Sequence, residues 1–122
     1  MSRARAKGTE GENYFLEFFV QRLWPAADRA PLKGIHDAGD FLNVPFPIEA
    51  KNVEVPRFLE WVKVLRRKAP SHRWLLLWKG DMRKATHRPM AIMDPAFALE
   101  LLDYWLTDGG PAEPYPGEVV DL

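Results

Sequence analysis

Three residues of this 122-residue chain have types and spacing that could do chemistry. In Ile48-Glu49-Ala50-Lys51, a strand points Glu49 and Lys51 to one face and Ile48 and Ala50 to the other. Asp40 lies shortly before them. If a strand over 40–44 pairs with one over 48–53, Asp40 comes to rest near Glu49. Two carboxylates suit Mg²⁺, a hard cation that prefers oxygen ligands, and the backbone carbonyl of Ala50 can add a third oxygen. Such an ion lowers the pKa of its water and offsets charge on a phosphate. Lys51 can then orient the water or stabilise the charge that develops on the phosphate. The same residue types also make ordinary cross-strand ion pairs, which are weak. On these residues alone both readings stand open.

Positioning that group requires a strand pair and helices to cover it. Thr9-Glu10-Gly11-Glu12 has the form of a capping box, predicting a helix from Thr9 to about Leu23, ahead of Pro25. Phe15, Leu16, Phe19, Val20 and Leu23 follow the helical period, and Glu12 shares their face. Residues 1–8 then form a flexible basic arm. Residues 25–39 read as a loop with a short strand around Arg29. Strands over 40–44 and 48–53 flank a turn bearing Pro45 and Pro47. A second helix is predicted over 56–69, with Phe58, Trp61, Val62 and Leu65 as its apolar face. Trp74–Trp78 reads as a buried strand and Pro89–Met93 as a last strand. Asp94-Pro95 opens a final helix that runs to about Leu106 and is ended by Gly109 and Gly110. The order predicts an α/β fold, a small mixed central sheet flanked by helices.

Composition sets the bounds. The chain is 47% hydrophobic and 28% charged, which excludes wholesale disorder. That length fits one domain, here 1–108, with 109–122 as an extended acidic tail. The absence of cysteine excludes disulfides, thiolate zinc sites and cysteine nucleophiles. No membrane-length apolar run and no secretory signal are found, so a cytoplasmic protein is expected. The net charge of zero is unevenly spread. Residues 57–88 hold ten Lys or Arg against Glu60 and Asp81, whereas 89–122 hold seven acids and no Lys or Arg. A basic middle suggests a polyanion, although Lys63, Arg66, Arg67 and Lys68 also read as a solvated helix face. Few amides and many prolines hint at a thermophilic or GC-rich source.

Lys7-Gly8-Thr9-Glu10-Gly11-Glu12, then Gly39-Asp40-Phe41, then Ile48-Glu49-Ala50-Lys51-Asn52, together resemble the PD-(D/E)xK nucleases. Among these the order is most similar to the archaeal-type Holliday junction resolvases and their phage counterparts. The likeness covers about residues 5–95. It implies a restriction-endonuclease-like core, with Glu12, Asp40, Glu49 and Lys51 as catalytic residues. Asp40, Glu49 and the Ala50 carbonyl would hold Mg²⁺, for which Mn²⁺ substitutes, with Glu12 acting through water. Gly39 stands where the superfamily name has Pro, and the acidic tail has no obvious counterpart. Arg29 and Lys33, on the loop before Asp40, would contact the DNA backbone, as would Arg3, Arg5 and Lys7. Asp37 ranks below Asp40 as a ligand, and His36, His72 and His87 lack zinc spacing.

The activity so implied is Mg²⁺-dependent resolution of four-way junctions by paired symmetric hydrolysis, leaving 5′-phosphate and 3′-hydroxyl ends. The expected partners are branched DNA and a second copy of the chain, with no membrane and no small-molecule cofactor. Such an enzyme would serve recombination and repair, in host cytoplasm if a phage encodes it. The alternatives are a related nuclease acting on flaps, nicks or linear DNA, and a non-catalytic DNA-binding protein. An RNA-binding module has no recognition motif to support it.

Overall fold

The computed structural model describes residues 2–31, 39–81 and 83–110. It is a mixed α/β structure with small sheets flanked by helices. Helix α1 spans Arg3–Phe15, widens to a π-helical segment over Leu16–Val20, and ends as α2, Gln21–Leu23. Strands β1 (Asp28–Arg29) and β2 (Phe41–Leu42) form an antiparallel pair. Strand β3 (Ile48–Lys51) runs parallel to β4 (Leu75–Trp78), joined through helix α3 (Phe58–Lys68). Strand β5 (Met90–Met93) closes this three-stranded sheet antiparallel to β4, and helix α4 (Pro95–Thr107) follows. No described helix is long and apolar enough to cross a membrane.

Two sequence expectations are corrected. The basic segment before Thr9 is helical from Arg3, not an arm. Ser2 is the N-cap, its hydroxyl accepting the Arg5 N–H at 3.1 Å. Ser caps at least as well as Thr, and Arg-Ala-Arg-Ala-Lys favours helix, so the earlier cap prevails. Thr9 and Glu12 are thus interior positions, and Glu12 has no capping duty. The second correction concerns the hairpin. Segments 40–44 and 48–53 do not pair as a ladder; β2 pairs with β1, and β3 with β4. Asn43 turns the chain at φ 60°, and Pro45 and Pro47 have no N–H to give a ladder.

The sheet has two apolar faces. Ile48, Ala50, Leu75 and Leu77 pack with Phe15, Val20 and Phe41 on one side. Leu76 and Trp74 pack with Leu65 of α3 on the other, where Phe58 also meets the Trp78 ring. Every residue of β4 is buried, as a continuous apolar run demands. Each such side chain contributes about 1.5–3 kcal/mol relative to exposure. Gly11 sets how closely α1 approaches the sheet: a Cβ there would lie 2.6 Å from the Asn52 Cβ.

Candidate metal and phosphate site

The site begins with a close backbone approach. Gly39 has φ 118°, and a Cβ on it would lie 2.9 Å from both the N and the O of Ile48. Only glycine fits, and proline, with φ fixed near −65°, is excluded. Asp40 follows directly and is fixed at both ends. Its N–H donates to Ile48 O at 2.9 Å, and its carbonyl accepts the Ala30 N–H at 2.8 Å. Its side chain reaches further along β3, where Oδ2 accepts the Ala50 N–H at 2.8 Å.

Strand β3 offers its two edges to different partners. Leu75 N–H donates to Pro47 O and Lys79 N–H to Lys51 O, so the odd-numbered carbonyls face β4. The even-numbered groups face the opposite edge, where Ile48 O and Ala50 N–H meet Asp40. By the same alternation the Ala50 carbonyl turns to Asp40's edge.

Glu49 is the one buried charged residue among those described, only 7% exposed. Its Oε1 accepts from Lys68 Nζ at 2.9 Å. Two residues on, Lys51 Nζ stands 5.8 Å from the centre of the Trp61 ring, within cation–π range. Glu49 and Lys51 thus both meet α3, as strand alternation requires. Glu12 comes from α1, and its Oε2 accepts from Arg29 Nε at 3.0 Å. Burial pushes the Asp40 carboxyl up to about 8. The negative charge of Glu49 adds to the shift, the Ala50 N–H opposes it, and Glu12 adds a smaller push. Burial thus favours the protonated form of Asp40.

Asp40 thus has both Glu49 and Glu12 as charged neighbours, and by strand alternation the Ala50 carbonyl turns to its edge. The donor set is all oxygen, which fits a hard divalent cation. Among the described residues no three His, Cys, Asp or Glu side chains are grouped as a metal cage. Arg29 holds Glu12 and Lys68 holds Glu49, so basic side chains compensate two of the three carboxylates.

Lys68 is the participant that sequence reading missed. It was assigned with Lys63, Arg66 and Arg67 to a solvated face. Yet it lies three residues after Leu65, the buried residue of α3, and so shares the sheet-facing side. That spacing was the available signal. Arg29, expected on the DNA backbone, is engaged with Glu12. Arg3, Arg5 and Lys7 are exposed along the start of α1. The Lys7 carbonyl accepts from Asn52 Nδ2 at 2.9 Å, which ties α1 to the residue after β3. Beside this tie a cleft of about 360 Å³ is lined by Lys7, Glu10, Asn52, Lys79 and Arg83, among others. Lys79 donates to Glu10 there at 3.0 Å. Lys33, His36 and Asp37 lie outside the described residues. Comparison of the chain with known protein families, curated proteins and solved structures finds no match.

Proposed function

We propose that this chain is a Mg²⁺-dependent, structure-selective DNA endonuclease with a restriction-endonuclease-like core that resolves four-way junctions. One observation carries the reading. Asp40 is held against β3 by the Ala50 N–H, beside a buried Glu49, and burial together with the charge of Glu49 raises its pKa. Strained carboxylate pairs of this kind cluster at functional sites. Asp40, Glu49 and the Ala50 carbonyl would hold the ion, with Glu12 reaching it through water. Bound there, the ion lowers the pKa of water and offsets phosphate charge.

The chain's own residues do the rest. Asp40 and Glu49 would hold the ion as carboxylates, the Asp40 proton passing to solvent, and Lys68 beside Glu49 would add positive charge toward a phosphate. Lys51 orients the attacking water or stabilises charge on the phosphate. Arg3, Arg5, Lys7 and Lys33 would contact the DNA backbone, fixing register without reading sequence, while Arg29 holds Glu12. Selectivity then comes from junction shape. Paired symmetric cuts require two copies of the chain.

A second reading has its own observation. Glu12 with Arg29 and Glu49 with Lys68 are complete ion pairs. A non-catalytic DNA-binding protein could keep them for structure alone. A labelled four-way junction, matched linear duplex and flap DNA, each with Mg²⁺ or EDTA, separate the readings. Paired cuts confined to the junction are expected, lost with EDTA and reduced about 10³-fold or more in Glu49→Gln. Cutting of every substrate would leave a general nuclease. Junction binding without cleavage, unaltered in Glu49→Gln, would leave the non-catalytic binder.

A further inference from the structure

Helix α4 opens in regular fashion and then leaves the body of the protein. Asp94 caps it, its Oδ1 accepting the Ala96 N–H at 2.9 Å, with Pro95 in the first turn. Phe97 anchors it, buried against the Phe46 ring. Beyond the first turn every residue from Leu99 to Gly109 is exposed. Six of these are large and apolar: Leu99, Leu101, Leu102, Tyr104, Trp105 and Leu106. Tyr104 is 73% exposed and Leu99 69%. A helix this apolar on most of its circumference is normally buried.

At 100° per residue the polar side chains Glu100, Asp103 and Thr107 gather on one flank. Leu99, Leu102 and Leu106 recur at i, i+3 and i+7 to make an uncharged stripe, and Trp105 borders it. Trp105 is held in place: its carbonyl accepts the Gly110 N–H at 2.8 Å, and a Cβ on Gly110 would strike its ring at 2.6 Å. The flanking Glu100 is engaged by His72 and Arg73, whose hydrogen bonds hold its carboxyl below the usual range.

We infer that the α4 stripe is the contact surface for a second copy of this chain, packed α4 against α4 about a twofold axis near Leu102. The area supports this occupant. Leu99, Leu102, Leu106 and the bordering Trp105 expose on the order of 450 Å² of largely apolar surface. That is at the upper end of what a monomer ordinarily leaves in one patch. Two copies together would bury about 900 Å² there, close to the ~1,000 Å² that a specific interface clears. Charge argues against the other broad classes. Residues 89–122 carry seven acids and no Lys or Arg, which repels nucleic acid and anionic lipid. A stripe without charge matches itself, as an isologous contact requires. The inference rests on apolar area and does not depend on the metal site, since the pairing is independent of whether Asp40 and Glu49 bind an ion.

Sedimentation of the full chain over a wide concentration range tests it. A species of twice the 14.1 kDa chain mass is expected. Leu102→Glu with Leu106→Glu should weaken association about 100-fold or more, with the circular dichroism of the fold retained. Leu59→Glu, at a more exposed leucine on α3, should leave it unchanged. Because the chain has no cysteine, Leu102→Cys should form a disulfide between copies on oxidation, and Leu59→Cys should not. A monomer at all concentrations would overturn the inference, including the case in which residues 111–122 or another protein cover the stripe. So would a dimer indifferent to the paired glutamates, or one equally sensitive to Leu59→Glu.

Discussion

Strand β3 and helix α4 break the ordinary rule of burial in opposite directions. In β3 a carboxylate is buried, with Glu49 7% exposed. In α4, leucines and aromatics stand in water past Phe97. The two departures are supported differently. Charge inside a protein is tolerated only with partners, and β3 is supplied with them: Lys68 on Glu49, the Ala50 N–H on Asp40, Trp61 under Lys51. Apolar surface in water needs no local partner and carries no strain. The difference teaches that charge at the β3 edge is met by partners within the chain, whereas the described residues leave the α4 surface without cover.

The largest effect is expected where the buried charge loses its partner. Lys68→Met leaves Glu49 uncompensated and should lower stability by about 3 kcal/mol, read by urea unfolding at neutral pH. Adding Glu49→Gln should restore most of the loss, because the double variant has no buried charge at that position. A loss under about 0.5 kcal/mol would show that Glu49 reaches solvent and that the contrast with α4 is overdrawn.

Next is Asp40, the carboxyl that burial and Glu49 push up. Its pKa rises from 3.8 to about 8 on folding. Between those values the folded state binds the proton that the unfolded chain has released, so stability falls as pH rises through this window. Asp40→Asn keeps an oxygen for the Ala50 N–H and carries no charge. It should exceed the wild type by several kcal/mol at pH 8, with the gain vanishing near pH 4. Unfolding at a series of pH values checks this. Equal stability at pH 8 would mean that Asp40 is ionised there and already compensated.

Much of this contrast was legible beforehand, and particular residues show why the rest was not. Leu75–Trp78 announced a buried strand by its unbroken apolar run. Asp94-Pro95 announced the start of α4, and Gly109, at φ 92°, its end. Glu49 and Lys51 were placed on a common face by strand alternation alone. The start of α1 was not legible, because Ser2 and Thr9 are both good caps and only tertiary packing chooses. Nor was the partner of β3. The nearest segment in sequence was assumed, whereas Asp40 reaches β3 through single hydrogen bonds and the ladder goes to β4. Lys68 needed two elements read together, since α3's apolar period fixes its direction but only the fold supplies Glu49. The exposure of α4 has no local signal, because an apolar helix has the same sequence whether its cover comes from within the chain or from outside.

The smallest effect distinguishes those two sources of cover. In an isolated chain Leu102 is 54% exposed, so Leu102→Glu removes little packing and should change stability by less than about 0.5 kcal/mol. That holds only at concentrations low enough for the wild type to be monomeric. As concentration rises, association stabilises the folded wild type by mass action, so its melting temperature climbs. The glutamate variant has lost the contact, and its melting temperature should stay flat. Two melting curves that coincide in dilute solution and diverge in concentrated solution therefore assign the α4 stripe to a second copy. A constant gap at every concentration assigns it to cover from within the same chain.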